Sequence, residues 1–139
     1  MEQAVFTLTN PISKEEAMKL PPMSLAFIGD GVQSLYVRTA VTIGSSSKTG
    51  VLHKEVTQVV KAVSQAKIAD IIMPTFTEIE HDIFRRTRNC KIQTSAKHAE
   101  MSEYRKASGF EAVIGYLYLT GQTQRLLEFL DLAFKETLC

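Results

Sequence analysis

Residues 101–119 read MSEYRKASGFEAVIGYLYL, and the spacing of their apolar positions predicts one helix from about 101 to 119. At 3.6 residues per turn, positions 107, 111, 114, 115 and 118 share a face. Four of them are Ala107, Ile114, Gly115 and Tyr118, and the fifth is Glu111. A carboxylate on an apolar stripe is costly to bury unless it is paired or holds a metal. Taken alone, Glu111 also reads as a rim residue or as an arginine's partner.

Helices are predicted on both sides of this segment. Downstream, Gly121 ends it and Thr123 caps a last helix with Leu126, Leu127, Leu130 and Phe134 inward. Upstream, Ser13 with Glu16 makes a capping-box pattern for a short helix that Pro21 and Pro22 close. Residues 24–42 follow as a helix with Leu25, Ile28, Val32, Leu35 and Thr39 on one stripe. After the polar loop GSSSKTG, Leu52, Val56, Val59, Val63 and Ala66 mark a long helix ending before Pro74, with a strand as the weaker alternative for its valines. Thr75 or Thr77, each with a glutamate three residues on, caps a further helix that carries Ile79, Ile83 and Phe84 inward and runs into a cluster of arginines. Residues 90–98 have no apolar periodicity and read as a basic loop. The outcome is an all-α bundle in which residues 1–139 form a single domain.

Composition narrows the function. Two cysteines are too few for a disulfide framework and favour a reducing compartment. The first twenty residues lack the pattern of a signal or transit peptide, and no apolar run approaches the roughly 18 residues of a membrane span. The expectation is a soluble cytoplasmic protein with no membrane partner. Net charge is only +1, but residues 85–106 carry seven basic and two acidic side chains, which leaves −4 for the rest. Such a cluster is a solvated face unless other features make it a nucleic-acid footprint.

In the first long helix Asp30 stands between Gly29 and Gly31, and each glycine costs roughly 1 kcal/mol relative to alanine in a helix interior. Glycine there lets another backbone or a ligand come close. Two acids on packed helices, Asp30 and Glu111, are enough for one Mg²⁺, which fills its octahedron with waters and phosphate oxygens.

The segments LAFIGDGVQSLYVR (25–38) and ASGFEAVIGYLYL (107–119) resemble the two signature segments of the ribonuclease III catalytic domain, in its short Mini-ribonuclease III branch. LHKEVTQVVKAVSQAK (52–67) and RRTRNCK (85–91) are similar to further motifs of that branch in the same order, so the resemblance spans residues 25–119. It implies a helical bundle of the ribonuclease III type without an appended double-stranded-RNA-binding domain. It also implies a homodimeric endoribonuclease that cuts double-stranded RNA with Mg²⁺, Mn²⁺ being able to substitute, to 5′ phosphate and 3′ hydroxyl ends. The substrate it implies is the precursor of 23S ribosomal RNA. Asp30 and Glu111 take the positions of the catalytic metal ligands. Arg85, Arg86, Arg88, Asn89, Lys91 and Lys97 are candidate RNA contacts, and His53, Thr57, Ser64 and Gln65 match polar positions of the third segment, His53 as a further RNA contact.

Departures from the family pattern are local. Met23 and Ser108 stand where larger members carry further acids, and Gly31, Gln33 and Ser34 replace alanine, tyrosine and glutamate. They keep open a second reading, an RNA-binding protein that retains the fold without turnover. Other residues have bland readings: Arg85 or Arg86 as partners of Glu78 or Glu80, Arg105 and Lys106 as structural cations, and Tyr36, Tyr104, Tyr116 and Tyr118 as core or interface aromatics.

Overall fold

The computed structural model describes residues 10–44, 62–90 and 98–138. Within them the chain forms six α-helices and no strand: α1 (Lys14–Met18), α2 (Pro22–Gly44), α3 (Ala62–Ile72), α4 (Glu78–Arg88), α5 (His98–Leu119) and α6 (Thr123–Leu138). Leu52, Val56, Val59 and residues 45–50 of the expected GSSSKTG loop lie outside the described residues, and its first residue, Gly44, belongs to α2 instead.

Local chemistry accounts for most of the boundaries. The Ser13 and Glu16 side chains cap each other's backbone N–H groups at the start of α1. Pro22 opens α2 rather than only closing α1, because a proline at the first helical position forfeits a donor that has no partner there anyway. Of the two candidate caps for α4, Thr77 is the one used, in a reciprocal pair with Glu80. α3 ends at Ile72, and Pro74 falls in the 3₁₀ turn Met73–Thr75. Gly121 adopts φ 70°, a left-handed conformation that favours glycine, and the N–H groups of Gly121 and Gln122 close the end of α5 on Tyr118 and Leu117. α6 begins at Thr123 itself, so Gln122 occupies the capping position expected of Thr123.

α5 is the hub, packing on α2, α3, α4 and α6. From Ala107 to Leu117 nearly every side chain is buried, and the helix is apolar all round rather than along the one expected stripe. Phe110 stacks on Phe129 of α6, which stacks in turn on Phe76, with Phe84 and Phe134 completing an aromatic core.

The face that α2 turns inward differs from the expected stripe. Leu25, Ala26, Gly29, Val32, Gln33, Val37 and Val41 are buried, whereas Leu35 is 48% exposed and Thr39 lies in solvent. The reason is backbone contact with α5. A Cβ on Gly29 would overlap the carbonyl of Glu111, and one on Gly115 would overlap the carbonyl of Leu25. The two helices therefore cross at their glycines, and α2 rotates to present its small residues. On α4 the buried positions are Glu80, Ile83, Phe84 and Thr87; Ile79, expected inward, is exposed because Glu80 takes the inward position next to it.

Glu80 is buried without loss because the Arg125 guanidinium on α6 grips both of its oxygens, at 2.7 and 3.0 Å. Burial alone raises the carboxyl, but hydrogen bonds from Arg125 and the Thr77 backbone outweigh it and hold Glu80 below the usual range. Tyr36 ties α2 to α6 through a 2.7 Å hydrogen bond to Asp131.

The glycine crossing makes a direct prediction. Gly115→Ala forces α2 and α5 apart and destabilises the fold by about 3 kcal/mol or more. Urea unfolding measures it, and a loss below about 1 kcal/mol would contradict the contact.

Candidate active site

The crossing that buries Gly29 also sets Asp30 beside Glu111. Their carboxyl groups are close enough to hydrogen-bond each other. Both line a cavity of about 410 Å³ between α2, α3 and α5, shared with Met23, Tyr104 and Ser108. Met23 and Ser108 thus border the site, two positions that the resemblance to the family had singled out as departures.

Two side chains complete the arrangement that sequence reasoning had not placed there as site residues. Gln33 Nε2 and Gln65 Nε2 both donate to Glu111 Oε2, at 3.2 and 3.3 Å. Gln33 lies three residues after Asp30 on the same helix face, and Gln65 comes from α3; both are buried. The available signal was an amide on the buried face of α2, but only the helix rotation shows what it touches. Gln33 Oε1 is buried with no hydrogen-bond partner among the described residues.

Burial, followed by the hydrogen bond and negative charge of Asp30, raises the Glu111 carboxyl to about 8, and the two amides only partly offset this. A cation between the two carboxyl groups would relieve the like charge that helps raise Glu111. The donor set fits a hard divalent ion. It offers oxygen ligands and room for several waters, and no group of three metal-ligating side chains occurs among the described residues. That chemistry matches Mg²⁺, which takes one or two carboxylates and keeps its waters, better than the closed nitrogen–sulfur set of a structural zinc.

The predicted RNA contacts divide. Arg85 pairs with Asp82 at 2.8 Å, and Arg86 approaches the same carboxylate at 4.0 Å. The expected partners are corrected: Glu78 and Glu80 do not take these arginines, because Glu80 points inward to Arg125. Arg88 and Asn89 close α4 at a second cavity. Lys91, Lys97, His53 and Thr57 lie outside the described residues. Lys106 is structural, joining α5 to Asp70 of α3 at 3.0 Å. Tyr36 and Tyr116 belong to the packing, whereas Tyr104 borders the acidic cavity.

With this geometry in view, comparison with known proteins is direct. A ribonuclease III domain model matches residues 23–122. The chain belongs to the ribonuclease III domain family and is an endoribonuclease of that type. Within that family its relatives are mini-ribonuclease 3 proteins. It is 45% identical to that of Thermoanaerobacter sp. strain X514 over 125 residues, which is 90% of this chain and 88% of the relative. It is 42% identical to that of Staphylococcus aureus over 114 residues, 81% and 85% of the two chains. A crystal structure of a Fusobacterium nucleatum protein superposes with a TM-score of 0.75 at 26% identity, covering 85% of this chain and 94% of that one.

The raised Glu111 pKa fixes a pH dependence. In metal-free protein, Glu111 ionises near pH 4.5 when unfolded and near 8 when folded, so its contribution to stability is full below about 4.5 and falls until about 8. Glu111→Gln removes that loss. In EDTA it is more stable than wild type by about 4 kcal/mol at pH 8 and within about 0.5 kcal/mol of it at pH 4.5. Urea unfolding at the two pH values checks this; a difference that does not grow with pH contradicts it.

Proposed function

We propose that this chain is a Mg²⁺-dependent endoribonuclease that hydrolyses double-stranded RNA to 5′ phosphate and 3′ hydroxyl ends, Mn²⁺ being able to substitute. We further propose that it works as a homodimer in the cytoplasm on the precursor of 23S ribosomal RNA. The single domain spans residues 1–139. The observation that carries the reading is the meeting of Asp30 and Glu111 in one cavity, with two buried amides on a single carboxylate oxygen.

In this reading Asp30 and Glu111 hold the cation. Gln33 and Gln65 occupy one oxygen of Glu111 and fix the carboxylate plane, so that the other oxygen is the one available as a ligand. Glu111 gives up its proton when the cation is bound, which couples metal affinity to pH. When bound, the ion lowers the pKa of a water and neutralises charge on the leaving oxygen. Gln33, one of the departures from the family pattern, is engaged with the Glu111 carboxylate, which favours turnover over the silent alternative.

RNA in the A form exposes phosphates and 2′-hydroxyls across a shallow groove, and the basic stretch 85–106 suits that backbone. Arg85 and Arg86 keep this role despite Asp82, since exposed ion pairs are worth little and exchange readily. Among the described residues no helix is long and apolar enough to cross a membrane. The solvent face of α2 supports the homodimer. Phe27, 80% exposed, and Leu35 flank Gly31, where a Cβ would meet open space, at four-residue spacings beside Asp30. A second copy laid on this stripe buries the apolar pair and brings two sites onto one duplex.

End-labelled duplex RNA is cut in Mg²⁺, not in EDTA, and single-stranded RNA of the same sequence is spared. Asp30→Asn lowers the rate at least about 100-fold. Duplex binding without cleavage in either metal would instead favour the catalytically silent reading.

Leu35→Glu, which places a charge on the stripe without touching the core, converts the dimer to monomer in sedimentation analysis. An unchanged sedimentation coefficient would exclude this face.

A further inference from the structure

The five described cations of the basic stretch are not equivalent. Arg85, Arg86 and Lys106 each have a carboxylate, Asp82 for the first two and Asp70 for the third. Arg88 and Arg105 have no ion pair among the described residues, although Arg105 stands on the buried side of its helix closely enough that its Nε–H is shielded from solvent with no acceptor. These two arginines line one cavity of about 450 Å³ between the end of α4 and the first half of α5. Each guanidinium carries five N–H donors, and with no carboxylate in the described lining these face a cavity in which an oxygen acceptor would find them.

The rest of the lining agrees in sign. Asn89 and Ser102 contribute an amide and a hydroxyl, Met101 closes one side, and no carboxylate is among the described lining residues. Arg88 is held in place by stacking its guanidinium on the Phe84 ring, 5.7 Å from the centroid. Two guanidinium forks with neutral donors between them match the oxygens of a phosphodiester.

Position identifies whose phosphate it is. The two cavities occupy successive turns of α5: Tyr104 and Ser108 border the acidic one, while Ser102 and Arg105 border the basic one. Arg105 precedes Glu111 by six residues, or about 9 Å along the helix axis. We propose that the Arg88–Arg105 cavity binds a backbone phosphate of the RNA duplex a few nucleotides from the scissile bond, and so sets where the duplex lies across the acidic site. This rests on the reading of the chain as an RNA-cutting enzyme. It assigns Arg105, a structural cation on sequence grounds, to substrate binding.

The test is equilibrium binding of labelled duplex RNA to the full chain in EDTA, where nothing is cut, as a function of salt. Arg105→Gln and Arg88→Gln each weaken binding about 5- to 20-fold near 0.15 M salt and reduce the slope of log affinity against log salt by about 1. Lys106→Gln, which removes an equal charge from outside the cavity lining, changes affinity less than about 2-fold. Arg105→Lys keeps the charge without the fork and falls between wild type and Arg105→Gln. Wild-type affinity and slope in Arg105→Gln and Arg88→Gln would overturn the proposal, as would equal losses in those variants and Lys106→Gln. Should Arg105→Gln lose its cooperative melting transition, Arg88→Gln and Arg105→Lys decide by the same criteria. Cleavage by wild type with no effect of the arginine variants refutes this site alone, whereas wild type that neither binds nor cuts duplex refutes the endoribonuclease reading with it.

Discussion

The contact between the backbones of α2 and α5 at Gly29 and Gly115 is the constraint on which the rest depends. Side chains normally hold helix axes 8–10 Å apart, and a glycine on each partner removes that spacer at the crossing. Close approach decides the rotation of α2, which decides that Gln33 is inside and Leu35 outside. It also seats Asp30 against Glu111, since residue 30 follows the contacting glycine and the carbonyl it meets is that of residue 111 itself. The meeting of the two acids is thus a by-product of a helix crossing at which backbone meets backbone, and a scaffold packed this closely holds them at a fixed separation.

Two glutamates set into the helix packing come to opposite chemistry. Glu80 faces the core with a guanidinium on both oxygens and a threonine cap beside it, and remains ionised as part of the frame. Glu111 faces a like charge and receives only neutral amides. The first is a finished ion pair that joins α4 to α6. The second is unfinished, and its deficit is what a divalent cation would repay. Stability is surrendered at the site and recovered around it, by the aromatic core and the Glu80–Arg125 pair.

The cations divide by the same logic. Those with carboxylate partners stitch helices or sit as exposed pairs, and those without one gather in a cavity with no carboxylate among its described lining residues. Charge density in the sequence marks the region, while the distribution of partners singles out the two arginines that meet no carboxylate among the described residues.

Helix positions and types were determined by the sequence itself, because they rest on interactions within a few residues. The Ser13–Glu16 and Thr77–Glu80 boxes, the proline at 22, the left-handed Gly121 and the apolar periods all act locally, and boundaries differed by only a residue or a turn, as where α5 starts at His98. Asp30 and Glu111 were legible too, since an acid flanked by glycines and an acid on an apolar stripe each break a local rule. Tertiary structure alone decided which face of α2 is buried, which arginines are spoken for, and that Gln33 and Gln65 meet Glu111. Those partners lie 78 and 46 residues away along the chain. A helix's rotation about its own axis is set by whatever backbone it is pressed against, and periodicity, which fixes only the angles between a helix's own residues, carries no record of it.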